Sequence, residues 1–386
     1  MNKPVFLNLK SKKIIAILFT NYGPYHLARV KAFQSFIANE WNVIGLEISR
    51  DGIDYQWKTN LENSELEIYT ILDHLKPTEV DTKTNIKKTF DSISKINPDI
   101  VVIAGYARLS MLSALCWSLW HRKPAIVLSE SKEDDEPRIW WKEIIKSWLV
   151  KKYSSALVGG HPHKRYLVKL GFPENGIFNG YDVVDNSVFH PDQITPLNSP
   201  LNQPFFLAIN RFVEKKNLPL LISAYASYQQ QLGENAWHLV LCGDGELRSS
   251  LESLIDEYNL SDFVHLPGFL QQDELLPYFA HGKCFIHAST TEQWGLVVNE
   301  AMAAGLPVIV SNRCGCFEDL VMEGVNGFGF NPENQTELTN LMIKMSSGEV
   351  DLEFMGKASL KHIEKYSPDY FAQGLKSAIE FATRKK

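Results

Sequence analysis

Ten short apolar runs, each followed by a helix-length segment, limit the possible folds of this chain more than any other feature. They lie at residues 14–19, 43–48, 100–104, 125–129 and 156–158 in the first half, and at 205–209, 239–242, 263–266, 284–288 and 308–311 in the second. Each is too continuously apolar for a strand with one wet face, so each predicts a strand buried on both sides. Strands of this kind, alternating with helical stretches such as 218–230 and 247–258, build parallel sheets with helices on both faces. The series runs twice. Between the two sets, residues 190–204 carry Pro191, Pro196, Pro200 and Pro204 among Asn and Ser, the composition of a linker. The length of 386 residues, 45% of them hydrophobic, suffices for two cores of ordinary size. The expectation is an α/β protein of two Rossmann-like domains with a cleft between parallel sheets. Residues 1–190 form the first domain, 191–204 the linker, 205–365 the second domain and 366–386 a terminal helix.

Charge and cysteine usage narrow the function classes. The formal net charge is −6. Residues 1–190 hold 25 basic and 21 acidic side chains, and residues 191–386 hold 14 and 24. No basic arm or stripe points to nucleic acid. The first apolar run ends at Thr20-Asn21-Tyr22-Gly23-Pro24, too soon for a signal segment or a membrane span. Five cysteines, an odd number, suit a reducing compartment better than a disulfide framework, so a cytoplasmic protein is expected. Cys314-Gly315-Cys316 lacks a second pair at zinc spacing and reads as a tight turn.

Residues 291–311 carry the chemistry. Glu292 follows the apolar run 284–288, at the carboxyl end of a strand, where open α/β sheets hold ligands. Gly295 opens a helix. Its first N–H groups have no intrahelical partner, so Trp294, Gly295, Leu296 and Val297 can offer donors to a phosphate at the positive end of the dipole. Glu300, about a turn and a half further on, can accept hydrogen bonds from the two hydroxyls of a ribose.

The spacing Glu292, seven residues, Glu300, followed by Ala301-Met302-Ala303-Ala304-Gly305-Leu306-Pro307-Val308-Ile309, resembles the signature of family 4 retaining glycosyltransferases of the GT-B fold. Asn210-Arg211-Phe212-Val213-Glu214-Lys215-Lys216 resembles that family's strand-to-helix segment. Cys242-Gly243-Asp244-Gly245-Glu246 resembles its Gly-x-Gly loop, and Val264-His265-Leu266-Pro267-Gly268-Phe269 its nucleotide-side strand and turn. Taken singly, each is a common turn or a solvated charge; their order along one αβ array is what carries weight.

The resemblance implies a metal-independent enzyme, without a cofactor, of the kind that builds bacterial surface polysaccharides. Its donor would be a nucleotide sugar, UDP-linked by expectation, and its acceptor a glycan, a lipid-linked sugar or a small molecule. Arg211 and Lys216 would clamp the donor diphosphate, with Gly243 and Gly245 beside it, and Glu292 would stabilise the reacting sugar. A nucleotide-sugar epimerase or phosphorylase, or a non-catalytic binding protein, would use a similar clamp.

The first half is less explicit. The loop holding Gly23 and His26 follows the first strand and, by the resemblance, faces the donor phosphates; His26 reads equally as a cap or a substrate contact. Glu130 follows the fourth run where many family members carry a His, and it could touch the acceptor or pair with Arg138. The acids at 133–136 read as solvated rather than as a metal site. Residues 138–153 form an amphipathic basic helix with Trp140, Trp141, Ile144, Ile145 and Trp148 on one face and lysines opposite. The expectation is that this face packs on its own sheet; peripheral contact with the inner face of a membrane is the other reading.

Overall fold

The computed structural model describes residues 12–50, 65–72 and 80–384; the remaining parts of the expected domains, including the last two residues of the tail, lie outside it. The first sheet is built from β1 (Lys13–Phe19), β2 (Trp41–Glu47), β3 (Glu67–Thr70), β4 (Ile100–Ala104), β5 (Ala125–Ser129), β6 (Ser155–Val158) and β7 (Ile177–Asn179). Its order is β3-β2-β1-β4-β5-β6-β7, parallel throughout. The second sheet contains β8 (Phe205–Ile209), β9 (His238–Cys242), β10 (Val264–Gly268), β11 (Cys284–His287), β12 (Val308–Ser311) and β13 (Gly327–Phe330). Its order is β10-β9-β8-β11-β12-β13, again parallel.

All ten apolar runs are strands. Three strands fall outside them, at or near sheet edges. β3 and β7 are short, and β13 alternates Gly with Phe, so none shows a continuous apolar run.

Strand order reverses between β1 and β4 and again between β8 and β11. Such switch points open a crevice at the carboxyl ends of the strands, and the loops after β1, β8 and β11 are those that hold Gly23, Arg211 and Glu292.

Each sheet is covered on both faces. Ile93, Met111 and Trp117 pack with Val101 and Ile103 on one side of the first sheet, while Val30, Phe33, Phe371 and Leu375 pack with Ile15 and Val102 on the other. The last two come from the terminal helix Pro368–Arg384, which returns to the first sheet, lies along the helix Pro24–Ile37 and is held by a hydrogen bond from Ser155 Oγ to the Ala378 carbonyl.

Two expectations need correction. The proline-rich segment is not a plain linker, because Pro191 starts a helical turn (Pro191–Ile194) directly after Asn186–Phe189, and Phe189 and Ile194 are buried in the second core. Pro at the first helical position has no N–H to lose and fits the helix φ. The amphipathic helix Trp140–Val150 does not pack its apolar face on the sheet. Val150 is its one buried residue, and its aromatic side chains stand in solvent. The strands beneath are already covered, with Trp117, Tyr153 and Tyr166 filling that side of the core.

Candidate active site

Backbone close to backbone builds the donor-side loops. Gly243 has φ 136°, and a Cβ there would collide with the Asn210 carbonyl, which explains glycine at this position. Asn210 N–H donates to the Cys242 carbonyl at 2.9 Å and Phe212 N–H to the Asp244 carbonyl at 2.8 Å. The Gly243-Asp244-Gly245 turn therefore buttresses the segment carrying Arg211 and Lys216.

The loop after β11 is tied at both ends. Gly315 N–H donates to the Glu292 carbonyl and Cys316 N–H to the Trp294 carbonyl, each at 3.1 Å. Cys314-Gly315-Cys316 is thus a turn, and a Cβ on Gly315 would strike the Gln293 carbonyl. Trp294 precedes the helix Leu296–Ala303 and is itself buried, its indole N–H donating to Asn299 Oδ1 at 2.8 Å. The first helical turn therefore begins after Gly295, in a left-handed conformation with φ 105°, and Trp294 serves as its anchor rather than as part of it.

Glu292 gathers the local charge. Lys216 Nζ donates to its carboxylate, and Lys215 Nζ and His287 Nε2 each stand 3.6 Å away. Burial pushes the carboxyl up, but the His287 hydrogen bond and the two lysines outweigh it and hold Glu292 far below the usual carboxylate range. It is ionised at neutral pH. The buried His287 is shifted down by desolvation, against the pull of Glu292.

Glu300 is different. It is buried on the site helix, and Tyr25 Oη, from the first turn of the helix Pro24–Ile37, donates to it. Burial raises its carboxyl from 4.5 to about 7, with the Tyr25 hydrogen bond opposing.

The two halves meet around this helix. His163 Nδ1 accepts the Gly160 N–H, which leaves Nε2 to donate to the Gln293 carbonyl at 2.8 Å. His161 Nδ1 lies 2.6 Å from Asp319 Oδ1, and Arg165 forms a two-pronged pair with Glu318.

On the first sheet, His26 Nδ1 accepts the Gly23 N–H at 3.3 Å and its ring lies against Phe19. Burial and then the nearby Arg29 bring its pKa down to about 3. It is a cap and a packing residue, and a poor base. Glu130 does not pair with Arg138, whose guanidinium goes to Asp135 and to the Lys132 and Glu133 carbonyls. Glu130 instead acts electrostatically on Asp182. Asp182 is wholly buried, neither of its carboxylate oxygens has a hydrogen-bond partner among the described residues, and Arg29 stands 3.9 Å from its Oδ1. Burial, then Glu130, pushes it well above the usual range, with Arg29 opposing. The acidic run is largely exposed, as expected, with local ion pairs: Asp134 to Lys132 at 2.7 Å, Asp135 to Arg138 and Glu133 to Lys169.

The structure brings Lys216, Glu292 and Gly295 together at the start of the helix that carries Glu300, with Tyr25 of the first domain on Glu300, and Arg211 on the loop after β8 that also carries Lys216. Sequence reasoning missed Tyr25, Arg29, His163 and Asp182. Only His163, three residues after the Gly159-Gly160 turn that follows β6, stands where a strand-end rule could have found it. Among the described residues, no group of three or more His, Cys, Asp or Glu side chains is placed to hold a metal ion.

Two parallel sheets facing each other across a crevice, each with its switch point there, define the GT-B fold. The structure matches that of the Anabaena protein Alr3699/HepE in complex with UDP-glucose, with a TM-score of 0.76 over 95% of this chain and 99% of that one at 18% identity. It also matches the lipopolysaccharide outer core galactosyltransferase WaaB, with a TM-score of 0.70 over 95% of this chain and 99% of that one at 17% identity. At those identities the likeness speaks for the fold.

Residues 190–362 match the model for glycosyl transferases group 1. The chain is 32% identical over 196 residues to the sulfoquinovosyl transferase SQD2 of Arabidopsis thaliana, 47% of this chain and 36% of that protein. It is 32% identical over 164 residues to the amylovoran biosynthesis glycosyltransferase AmsK of Erwinia amylovora, 40% of this chain and 39% of that protein. The chain thus spans well under half the length of these curated relatives. Among the described residues, no helix is long and apolar enough to cross a membrane.

Proposed function

We propose that this protein transfers a sugar from a nucleotide diphosphate donor, UDP-linked, to a hydroxyl acceptor with retention of anomeric configuration. The observation that carries the reading is the Lys216–Glu292 ion pair at the mouth of the site helix. A lysine poised on a glutamate can turn to the diphosphate as the bond to it breaks, where negative charge grows. Glu292 stays ionised beside the anomeric carbon, where positive charge grows. Arg211 and the N–H groups of Leu296 and Val297 would complete the clamp, and Glu300 would hold the ribose.

Retention is supported by the weakness of His26 as a general base, since its Nδ1 accepts the Gly23 N–H and its pKa is lowered to about 3. The complex of Alr3699/HepE with UDP-glucose supports a UDP-linked donor, and the polysaccharide relative AmsK supports a glycan product. The proposal includes independence from metal ions, since lysine, arginine and helix N–H groups supply the charge a cation would. It also includes a reducing, cytoplasmic setting with the acceptor met at a membrane surface, for which the five free cysteines are support.

The test is NMR of the product formed from an α-linked UDP-sugar in excess EDTA. An α-linked product is expected. A β-linkage would overturn retention, loss of turnover restored by Mg²⁺ would overturn metal independence, and release of an epimer without acceptor would favour the epimerase. Nucleotide-sugar binding with no turnover toward any acceptor would leave a binding protein.

A further inference from the structure

The helix Trp140–Val150 is amphipathic, and its large apolar side chains are left exposed. Trp140 is 75% exposed, Ile144 60% and Trp148 61%, with Trp141 and Ile145 at about half. Side chains of this size are rarely left together in water unless something covers them. The next crossover on the same side of the sheet, Leu109–Trp120, ends in Trp120 at 82% exposure. Both helices run against their strands, so Trp120 and Trp148 lie toward the same end of the first sheet.

The charges say which cover fits. From 138 to 152 the chain holds five cations and one acid, in a protein whose net charge is −6; Arg138 and Lys146 pair with Asp135 and Glu143, which leaves Lys142, Lys151 and Lys152. The acid, Glu143, is turned away to Tyr166 and Lys146. Lys142 and Lys152 instead lie over the rings of Trp141 and Trp148 at 5.7 and 5.0 Å. Cations ringing exposed indoles match the boundary between acyl chains and anionic headgroups. A second copy of the chain would set the same cations against each other, which like-charge repulsion opposes.

We infer that this face docks on an anionic lipid bilayer.

Flotation with vesicles of 70% phosphatidylcholine and 30% phosphatidylglycerol tests the docking without substrate. The wild-type protein should float at low salt at least tenfold more than with pure phosphatidylcholine, and lose most of that at 1 M NaCl, where screening is short-ranged. Trp141→Glu and the triple variant Lys142→Ala/Lys151→Ala/Lys152→Ala should each stay in the soluble fraction while keeping the wild-type melting curve and UDP-glucose affinity. Equal flotation with neutral lipid, or no flotation with either, overturns the inference. So does a sedimenting dimer that Trp141→Glu dissociates, which would assign the face to a second copy. Transfer to a soluble acceptor is read separately: flotation without transfer removes the reaction and leaves the docking, and transfer without flotation does the reverse.

Discussion

Glu300 makes donor binding a function of pH in a calculable way. Its carboxyl, raised by burial to about 7, is only half ionised at pH 7 in the donor-free protein and about one-tenth ionised at pH 6. If the ribose hydroxyls donate to the carboxylate, the donor selects the ionised form, and binding releases a proton below pH 7. UDP-glucose affinity should then rise about tenfold between pH 6 and pH 8. The diphosphate of a nucleotide sugar is a diester and does not titrate in that range.

The histidines around the site do not interfere, because His26 is lowered to about 3, His163 to about 4, and the buried His287 is also shifted down. Isothermal titration calorimetry in buffers of differing ionisation enthalpy measures both the affinity and the proton. Glu300→Gln should bind more weakly and with no pH dependence, and Tyr25→Phe, which removes the opposing hydrogen bond, should move the transition upward. The same shift acts on folding with known sign. The native carboxyl keeps its proton up to about 7 while the unfolded one loses it near 4.5, so the stability it confers is complete at low pH and falls by about 3 kcal/mol as pH rises through that window. An affinity flat or falling between pH 6 and 8 in the wild-type protein would refute the ribose role of Glu300.

Two further outcomes follow from neighbouring groups. Lys216→Ala should reduce kcat/KM by roughly 10- to 150-fold, the loss of a charge-assisted contact of about 1.5–3 kcal/mol, with an unchanged circular dichroism spectrum; wild-type kinetics would remove Lys216 from the clamp. Asp182→Asn should be tolerated, and its stability relative to wild type should increase from pH 4 to pH 7, because the buried native carboxyl is raised and holds a proton that the unfolded chain gives up. If thermal unfolding instead shows Asp182→Asn losing about 3–5 kcal/mol at every pH, Asp182 is the ionised partner of Arg29.

What the sequence discloses and what it withholds separate along a physical line. Glu292, Lys216 and Gly295 sit at the ends of strands whose apolarity is local, and position at a strand end is enough to gather them. Tyr25 reaches Glu300 across 275 residues of chain and His163 reaches Gln293 across 130, contacts that exist only once two sheets have docked, and no local period encodes them. Asp182 follows Gly180-Tyr181 and looks like a turn residue, although the fold closes over it. For Trp140 to Trp148 the period is right and the burial is not, because a hydrophobic stripe specifies a helix with one apolar side and leaves open what covers it.

The return of the helix Pro368–Arg384 to the first sheet sets the order in which the molecule is completed. Phe371, Ala372, Leu375 and Ile379 close the core over Ile15, Ile17 and Val102, so the half that leaves the ribosome first lacks part of its cover until residues 368–384 emerge. The second sheet, contiguous from Phe205 to Phe330, has all its strands earlier. Synthesis from the amino terminus therefore finishes the later half first, and a chain stopped twenty residues short would carry a folded donor side beside an open amino-terminal core.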